Sequence, residues 1–306
     1  MDYQSQLDDI LLQAATSNAS DIHLAVGHRP TLRIDGVLTP LAQKPILSAQ
    51  DNIELARILL GERQRELEQF RDVDLSWQFK DKARFRVNVF WQKGFVSVAL
   101  RLVPSKVKNI KDLNLPPILH DFMDRSQGFF LVVGPTGHGK STTLAALIDY
   151  VNHTRTEHII TIEDPIEYLF VSDKSIIEQR EVGFDAYDFH RALRAAFRQD
   201  VDVLMVGEMR DPETMQTAVT AAETGHLVLA TLHTNNAAQS IDRIIDSFPA
   251  GQQQQVRTQL ASTLLGICSQ RLLPRVSSGL VPAVEIMVVT SAVRNLIREQ
   301  KVFEID

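Results

Sequence analysis

One cysteine, Cys268, is all the thiol chemistry this 306-residue chain carries. It allows neither a disulfide framework nor a cysteine-based zinc site, and it fits a reducing compartment. No apolar run approaches the ~18 residues a membrane-spanning helix needs. The opening MDYQSQLDDI is acidic and has no signal-peptide pattern. Internal repeats and low-complexity tracts are also missing. The expectation is a soluble cytoplasmic protein that meets a membrane only through partners. Basic charge is not in excess either. The net of −6 argues against a large nucleic-acid footprint, although a local basic stripe would survive that average. What is present is 44% hydrophobic and 23% charged residues, the balance of a chain that builds cores. At ~150 residues per domain the length suggests two domains.

Leu7, Ile10, Leu11, Ala14 and Ala15 follow helical spacing until Ser17-Asn18 breaks it. Asp21-Ile22-His23-Leu24 begins a strand-like region, and Arg33 to Leu38 reads as a hairpin around Asp35-Gly36. Residues 51–71 are helical and highly charged. Three alternating runs follow, through Val73–Phe79, Phe85–Trp91 and Val96–Leu102, each the pattern of a half-buried strand. Residues 1–103 therefore predict a small α+β domain. The polar, proline-bracketed PSKVKNIKDLNLPP, 104–117, reads as a linker, and 118–306 as a second domain. There, strands over 129–133, 158–163, 201–207 and 226–233 alternate with helices over 140–152, 188–199 and 213–224. That is the α/β rhythm of a mostly parallel sheet. From Gln252 onward the pattern predicts helix, with one strand-like segment near Val281–Val289.

Directly after the apolar run Phe129–Val133 stands GPTGHGKS, 134–141, with three glycines and one lysine in eight residues. It fits G-x-x-x-x-G-K-[ST] at every fixed position, in a strand–turn–helix setting. Gly134, Pro135, Thr136, Gly137, His138, Gly139, Lys140, Ser141 and Thr142 are the candidate phosphate cradle. Glycines let backbone N–H groups turn inward, Lys140 reaches the β and γ phosphates, and the Ser141 hydroxyl is a Mg²⁺ ligand. The positive end of the following helix adds to this.

Three further segments belong with it. Asp200 to Glu208 is an apolar strand ending in an acid, the Walker B arrangement, whose Glu208 would serve Mg²⁺. Thr161-Ile162-Glu163-Asp164-Pro165-Ile166-Glu167 brings three carboxylates to a strand's carboxyl end, where α/β sheets bind ligands. They repel one another unless a cation or partner is near. A helix starting at Pro165 is the alternative. His226 and His233 bracket the last apolar strand. His233, at its carboxyl end, is the candidate sensor of the γ-phosphate, and His226 stays open between a structural and a functional role.

Four boxes in this order, GPTGHGKS, TIEDPIEY, VDVLMVGEMRDPET and TGHLVLATLHTN, make the chain resemble the secretion ATPase superfamily. Within it, SDIHL, ARFRVNVF, LRLVPSK, AAETGHLVLATLHTNNA and AVRNLIRE make it similar to the PilT family, the type IV pilus retraction ATPases of twitching motility. The likeness spans nearly the whole chain. It implies a PAS-like N-terminal domain and a RecA-like P-loop ATPase domain, with ATP and Mg²⁺ bound between domains and subunits of a homohexamer. It also implies work at the cytoplasmic face of the inner membrane, against a platform protein of the pilus machine, with an accessory retraction ATPase as a further partner. Family roles fall on Glu163, which positions or activates the attacking water, and on Glu208 at the Mg²⁺ site.

A two-residue turn at Lys93-Gly94 pairs Trp91 with Val96, Val89 with Val98 and Val87 with Leu100. It then sets Arg86 opposite Arg101, which is unfavourable without an anion between them. Either this is a solvated charged surface, or the two arginines clamp the γ-phosphate, as the family's N-terminal-domain arginines do. Two departures stand out. His138 replaces the family's usual serine at a position that contributes mainly backbone, and its ring can alter nucleotide affinity. The sequence ends at Asp306, soon after AVRNLIRE, where family members usually carry further helices. Against the retraction motor stand an assembly ATPase, disfavoured by the single cysteine, an accessory retraction ATPase, and a scaffold that binds ATP without turnover, opposed by the intact acidic boxes.

Overall fold

The structure, a computed structural model, describes residues 2–17, 19–80, 82–276 and 279–305. The expected break at Ser17-Asn18 reaches Asn18, which lies outside the described residues, as do both end positions of the chain. Two compact units divide the chain, Met1–Ser105 and Lys106–Asp306.

The first unit opens with α1 (Tyr3–Thr16), started by the Asp2 carboxylate, which accepts from the Ser5 N–H. Its buried residues are Leu7, Ile10, Leu11 and Ala14, the stripe the spacing predicts. Three short strands follow: β1 (Asp21–Leu24), β2 (Thr31–Ile34) and β3 (Val37–Pro40). A reciprocal capping box between Ser48 and Asp51 begins α2 (Ala49–Leu60). After a 3-10 turn comes α3 (Gln64–Phe70), then β4 (Asp72–Phe79), β5 (Ala83–Gln92) and β6 (Phe95–Val103). The sheet is antiparallel throughout, in the order β3-β2-β1-β6-β5-β4. Lys93 and Gly94 both have positive φ, 48° and 80°, the turn whose twist suits a tight hairpin. It sets the register read from the sequence, including Arg86 opposite Arg101. The apolar face of β5 and β6, with Phe85, Val87, Val89, Val98 and Leu100, packs with the stripes of α1 and α2 in one core. Phe85 is wholly buried; its truncation to alanine costs about 3–5 kcal/mol.

The second unit is built on a seven-stranded sheet. Its elements are α4 (Leu119–Met123), β7 (Gly128–Val133), α5 (Lys140–Thr154), β8 (His158–Glu163), β9 (Ile176–Glu181), α6 (Phe189–Ala196), β10 (Val203–Val206), α7 (Pro212–Glu223), β11 (Leu227–Leu232), α8 (Ala237–Asp246), α9 (Ala250–Thr263), β12 (Leu264–Pro274), β13 (Leu280–Val288) and α10 (Ser291–Arg298). The order is β13-β12-β7-β11-β10-β8-β9, parallel except for β13. One face carries Phe130, Val132, Ile159 and Met205 against α4 and α5. The other carries Leu131, Val133, Ile160 and Val206 against α6, α7, α8 and α9. Apolar side chains on both faces explain why β7, β10 and β11 read as unbroken hydrophobic runs. Among the described residues no helix is long and apolar enough to cross a membrane.

Several expectations need correction. The helical reading from Gln252 holds only to Thr263, because 264–274 is strand β12. Its LLGICSQRLLP sits between β7 and β13, and a strand covered on both faces loses the alternation that distinguishes it from buried helix. The expected linker over 104–117 is mostly part of the second unit, since Ile110 and Leu115 are buried in the core beside α4 and α5. No helix starts at Pro165; residues 164–175 form an irregular strap between β8 and β9. Neither β9 nor α8 was expected from the pattern.

Candidate active site

The sheet places the carboxyl ends of β7, β8, β10 and β11 side by side, because these strands run parallel in near-matching register. The phosphate loop, Glu163, Glu208 and His233 all follow or end strands along that edge. The loop after β7 turns at Gly134, Gly137 and Gly139, all in the positive-φ region at 146°, 79° and 81°. At Gly134 a Cβ would lie 2.3 Å from the Gln270 carbonyl oxygen, so the approach of β12 excludes any side chain there. The loop runs into α5, whose first turn holds Lys140, Ser141 and Thr142 with free N–H groups behind them.

Lys140 is buried and folds back over the loop, its Nζ donating to the carbonyls of Gly134 at 2.9 Å and Pro135 at 3.0 Å. Burial pushes its pKa down, against the opposing charges of Glu208 and Glu167. His233, just past β11, brings Nδ1 to 3.1 Å from Thr136 Oγ1 and 3.5 Å from Lys140 Nζ. Its Nε2 lies 3.2 Å from Glu208 Oε1. The ring thus links the phosphate loop to Glu208. The other Glu208 oxygen takes Arg210 Nη2 at 2.9 Å. Burial raises the Glu208 pKa, but the Arg210 bond and the charges of Arg210, His233 and Lys140 outweigh it and hold the carboxyl below its ordinary value. His226, at the other end of β11, bonds the Ala221 carbonyl through Nδ1 at 2.9 Å, away from the loop.

Glu163, the last residue of β8, is nine-tenths buried. Its Oε1 accepts from Thr161 Oγ1 at 2.6 Å and Gln179 Nε2 at 3.2 Å, and its Oε2 from the Glu167 N–H at 3.4 Å. Desolvation dominates these donors, and the pKa is pushed up to about 7.

Sequence reasoning missed Gln270. From β12 its Oε1 accepts from Thr143 Oγ1 at 2.7 Å, and its Nε2 donates to the His138 carbonyl at 2.9 Å. The His138 ring accepts the Leu272 N–H at Nδ1, 2.9 Å away. Tyr168 was missed too: its hydroxyl shares a 2.9 Å hydrogen bond with Thr142 Oγ1. Both are single polar residues in segments read as helix or left unassigned, with no periodic signal to mark them. Beside Gly139 and Thr142 opens a cavity of about 600 Å³, lined by Lys108, Asp112, Gln270, Arg275 and Leu280 among others. Arg86 and Arg101 lie in the first unit, both exposed, and there Arg101 Nε donates to Asp21 Oδ1 at 2.9 Å.

A glycine cradle between a central parallel strand and a helix, with carboxylates at the ends of neighbouring strands, defines a RecA-like P-loop nucleotide hydrolase. The chain belongs to the Type II/IV secretion system protein family, which matches residues 3–282. It is 44% identical over 296 residues to the type IV pilus retraction ATPase PilT of Pseudomonas aeruginosa, covering 97% of this chain and 86% of that protein. It is also 44% identical to a twitching motility protein of Neisseria gonorrhoeae, over 90% of this chain and 74% of the other. A crystal structure of the pilus retraction motor PilT with bound ADP superposes with a TM-score of 0.88 at 49% identity, covering 97% of this chain and 87% of that one.

Proposed function

We propose that this chain is a motor ATPase that hydrolyses ATP to power type IV pilus retraction. The observation that carries the reading is the convergence of Lys140, Glu163, Glu208 and His233 at one sheet edge around an intact phosphate loop. It occurs in a chain alike over nearly its whole length to retraction ATPases. ATP phosphates lie in the cradle of residues 134–142, and the nucleoside occupies the cavity beside Gly139 and Thr142. The Lys140 ammonium, spent here on the Gly134 and Pro135 carbonyls, turns to the β and γ phosphates. Burial lowers its pKa, and phosphate charge acts in the opposite direction.

Ser141 and Glu208 offer hard oxygen donors next to the cradle, a set that suits Mg²⁺ completed by phosphate and water. When bound, Mg²⁺ neutralises charge on the phosphates. The remaining chemistry belongs to the chain. Glu163 takes a proton from the attacking water, whose oxygen bonds to the γ-phosphorus while the bond to the ADP oxygen breaks. The proton then passes to the released phosphate. A carboxyl with a pKa near the working pH is matched to that exchange. His233, bridging Thr136 and Glu208, reports whether a γ-phosphate is present. Arg86 and Arg101 supply the clamp on that group, and Arg101 leaves only an exposed ion pair with Asp21 to do so, worth about 1 kcal/mol or less. The working assembly is a homohexamer at the cytoplasmic face of the inner membrane, acting on a platform protein there, with an accessory retraction ATPase as a further partner. Deleting the gene and imaging pili tests the reading. Hyperpiliated, non-twitching cells support retraction, and bald cells support assembly instead.

A further inference from the structure

β8 and β9 run parallel, with Thr161 opposite Gln179 and Glu163 opposite Glu181. One layer deeper on the same face, Ile159 and Ile177 meet the core. Along one sheet face the side chains thus pass from aliphatic, to neutral polar, to carboxylate. Gln179 sits at the middle layer, and all of its amide is in use. Nε2 donates to Glu163 Oε1 at 3.2 Å and to the Tyr168 carbonyl at 2.8 Å, while Oε1 accepts the Phe170 N–H at 2.9 Å.

Two of these bonds serve the strap of residues 164–175, whose backbone has no helix or ladder to satisfy it. Glu181 does the same one layer up, where Oε2 accepts the Ile166 N–H at 3.1 Å. The third bond is different, because it reaches the candidate base. The strap it steadies also carries Tyr168, whose hydroxyl meets Thr142 beside Ser141 in the phosphate-loop helix. One amide therefore connects the carboxylate that would accept a proton to the element that would hold the phosphates.

We propose that Gln179 is a positioning residue for hydrolysis. It fixes Glu163 Oε1 and the Tyr168 strap in one arrangement, so that base and phosphate loop are held at a set distance. The proposal rests on Glu163 being the base. Two carboxylates stand against Glu163, Glu167 on the strap and Glu181 opposite it on β9. Glu167 opposes ionisation of Glu163, and the Gln179 and Thr161 donors favour it. Losing the Gln179 donor therefore makes Glu163 harder to ionise.

The test compares Gln179→Glu and Gln179→Met in the full chain, following ATP hydrolysis from pH 5 to 9. Gln179→Glu keeps an acceptor for the Phe170 N–H but cannot donate and adds a charge. Gln179→Met keeps the length with no polar atom. In both, the acidic limb of kcat/KM should move to higher pH, by about one unit or more for Gln179→Glu. At pH 7, kcat should fall about tenfold while KM for ATP and affinity for ADP stay within about twofold. A lowered kcat with an unmoved limb in both variants means the amide only satisfies the strap, and overturns the proposal. Glu163→Gln is run beside them. If that variant is dead while both Gln179 variants keep the parental limb, the positioning role alone fails. If Glu163→Gln turns over at the parental rate with the parental limb, the assignment of the base fails, and this inference with it.

Discussion

Gln270 holds His138 from a strand 132 residues further along the chain, its Nε2 donating to the His138 carbonyl at 2.9 Å. The same amide accepts from Thr143 Oγ1 at 2.7 Å, so it joins the loop before Lys140 to the helix after it. It is buried, and its own carbonyl lies where a Gly134 side chain would stand. Gln270→Met removes both bonds and leaves a buried hydroxyl unsatisfied, a loss of about 1–3 kcal/mol in loop order. ATP and ADP affinities, measured by calorimetry, should weaken about tenfold together. Unchanged affinities would mean the loop keeps its shape without β12.

Lys140→Ala should abolish ATP binding or nearly so. The remaining cradle is backbone dipoles, without the one ammonium that reaches its centre. Parental ATP affinity in this variant would remove the loop from the account. Glu208→Gln should lower turnover and raise the Mg²⁺ concentration needed for half-maximal rate. An unchanged Mg²⁺ requirement in a dead Glu208→Gln variant would point to a different role for that carboxylate.

Glu163 also links pH to stability. Its pKa rises from 4.5 to about 7 on folding. Between those values the folded chain binds more protons there than the unfolded chain, so stability falls as pH rises through that window. The span corresponds to about 3 kcal/mol. Glu163→Gln has no proton to lose. Its unfolding free energy relative to the parent should therefore improve by about that amount between pH 5 and pH 8, measured by denaturant titration at both. Parallel pH profiles would show that Glu163 is not protonated preferentially in the folded chain.

Arg86→Ala and Arg101→Ala should each lower kcat by about 10³-fold or more, the scale of an arginine that meets the transferring phosphoryl group. ADP affinity and the thermal midpoint should stay close to parental, because both side chains are exposed and neither is part of the core. Parental turnover in both variants would leave the pair as surface charge.

What was legible in the sequence was what local chemistry determines. GPTGHGKS demanded a loop with positive φ between strand and helix, and Lys93-Gly94 set the β5–β6 register down to Arg86 opposite Arg101. Helix α1 followed from five apolar residues at helical spacing, of which Leu7, Ile10, Leu11 and Ala14 are buried. What was hidden depends on neighbours far along the chain. β12 is a strand because β7 and β13 flank it, and Gln270 matters because that pairing brings it beneath the loop. Gln179 likewise acquires its place only once β9 lies against β8. The supposed linker belongs to the second unit because of two residues, Ile110 and Leu115, which a polar, proline-bracketed composition concealed.

Single-pilus imaging follows retraction itself. The gene is replaced by its Glu163→Gln allele, which should bind ATP and not hydrolyse it, and labelled pili are followed in living cells. Pili should extend and then stay out, with retraction events lost and surface pili in excess. Retraction at the parental frequency, or cells without pili, would contradict the proposed function.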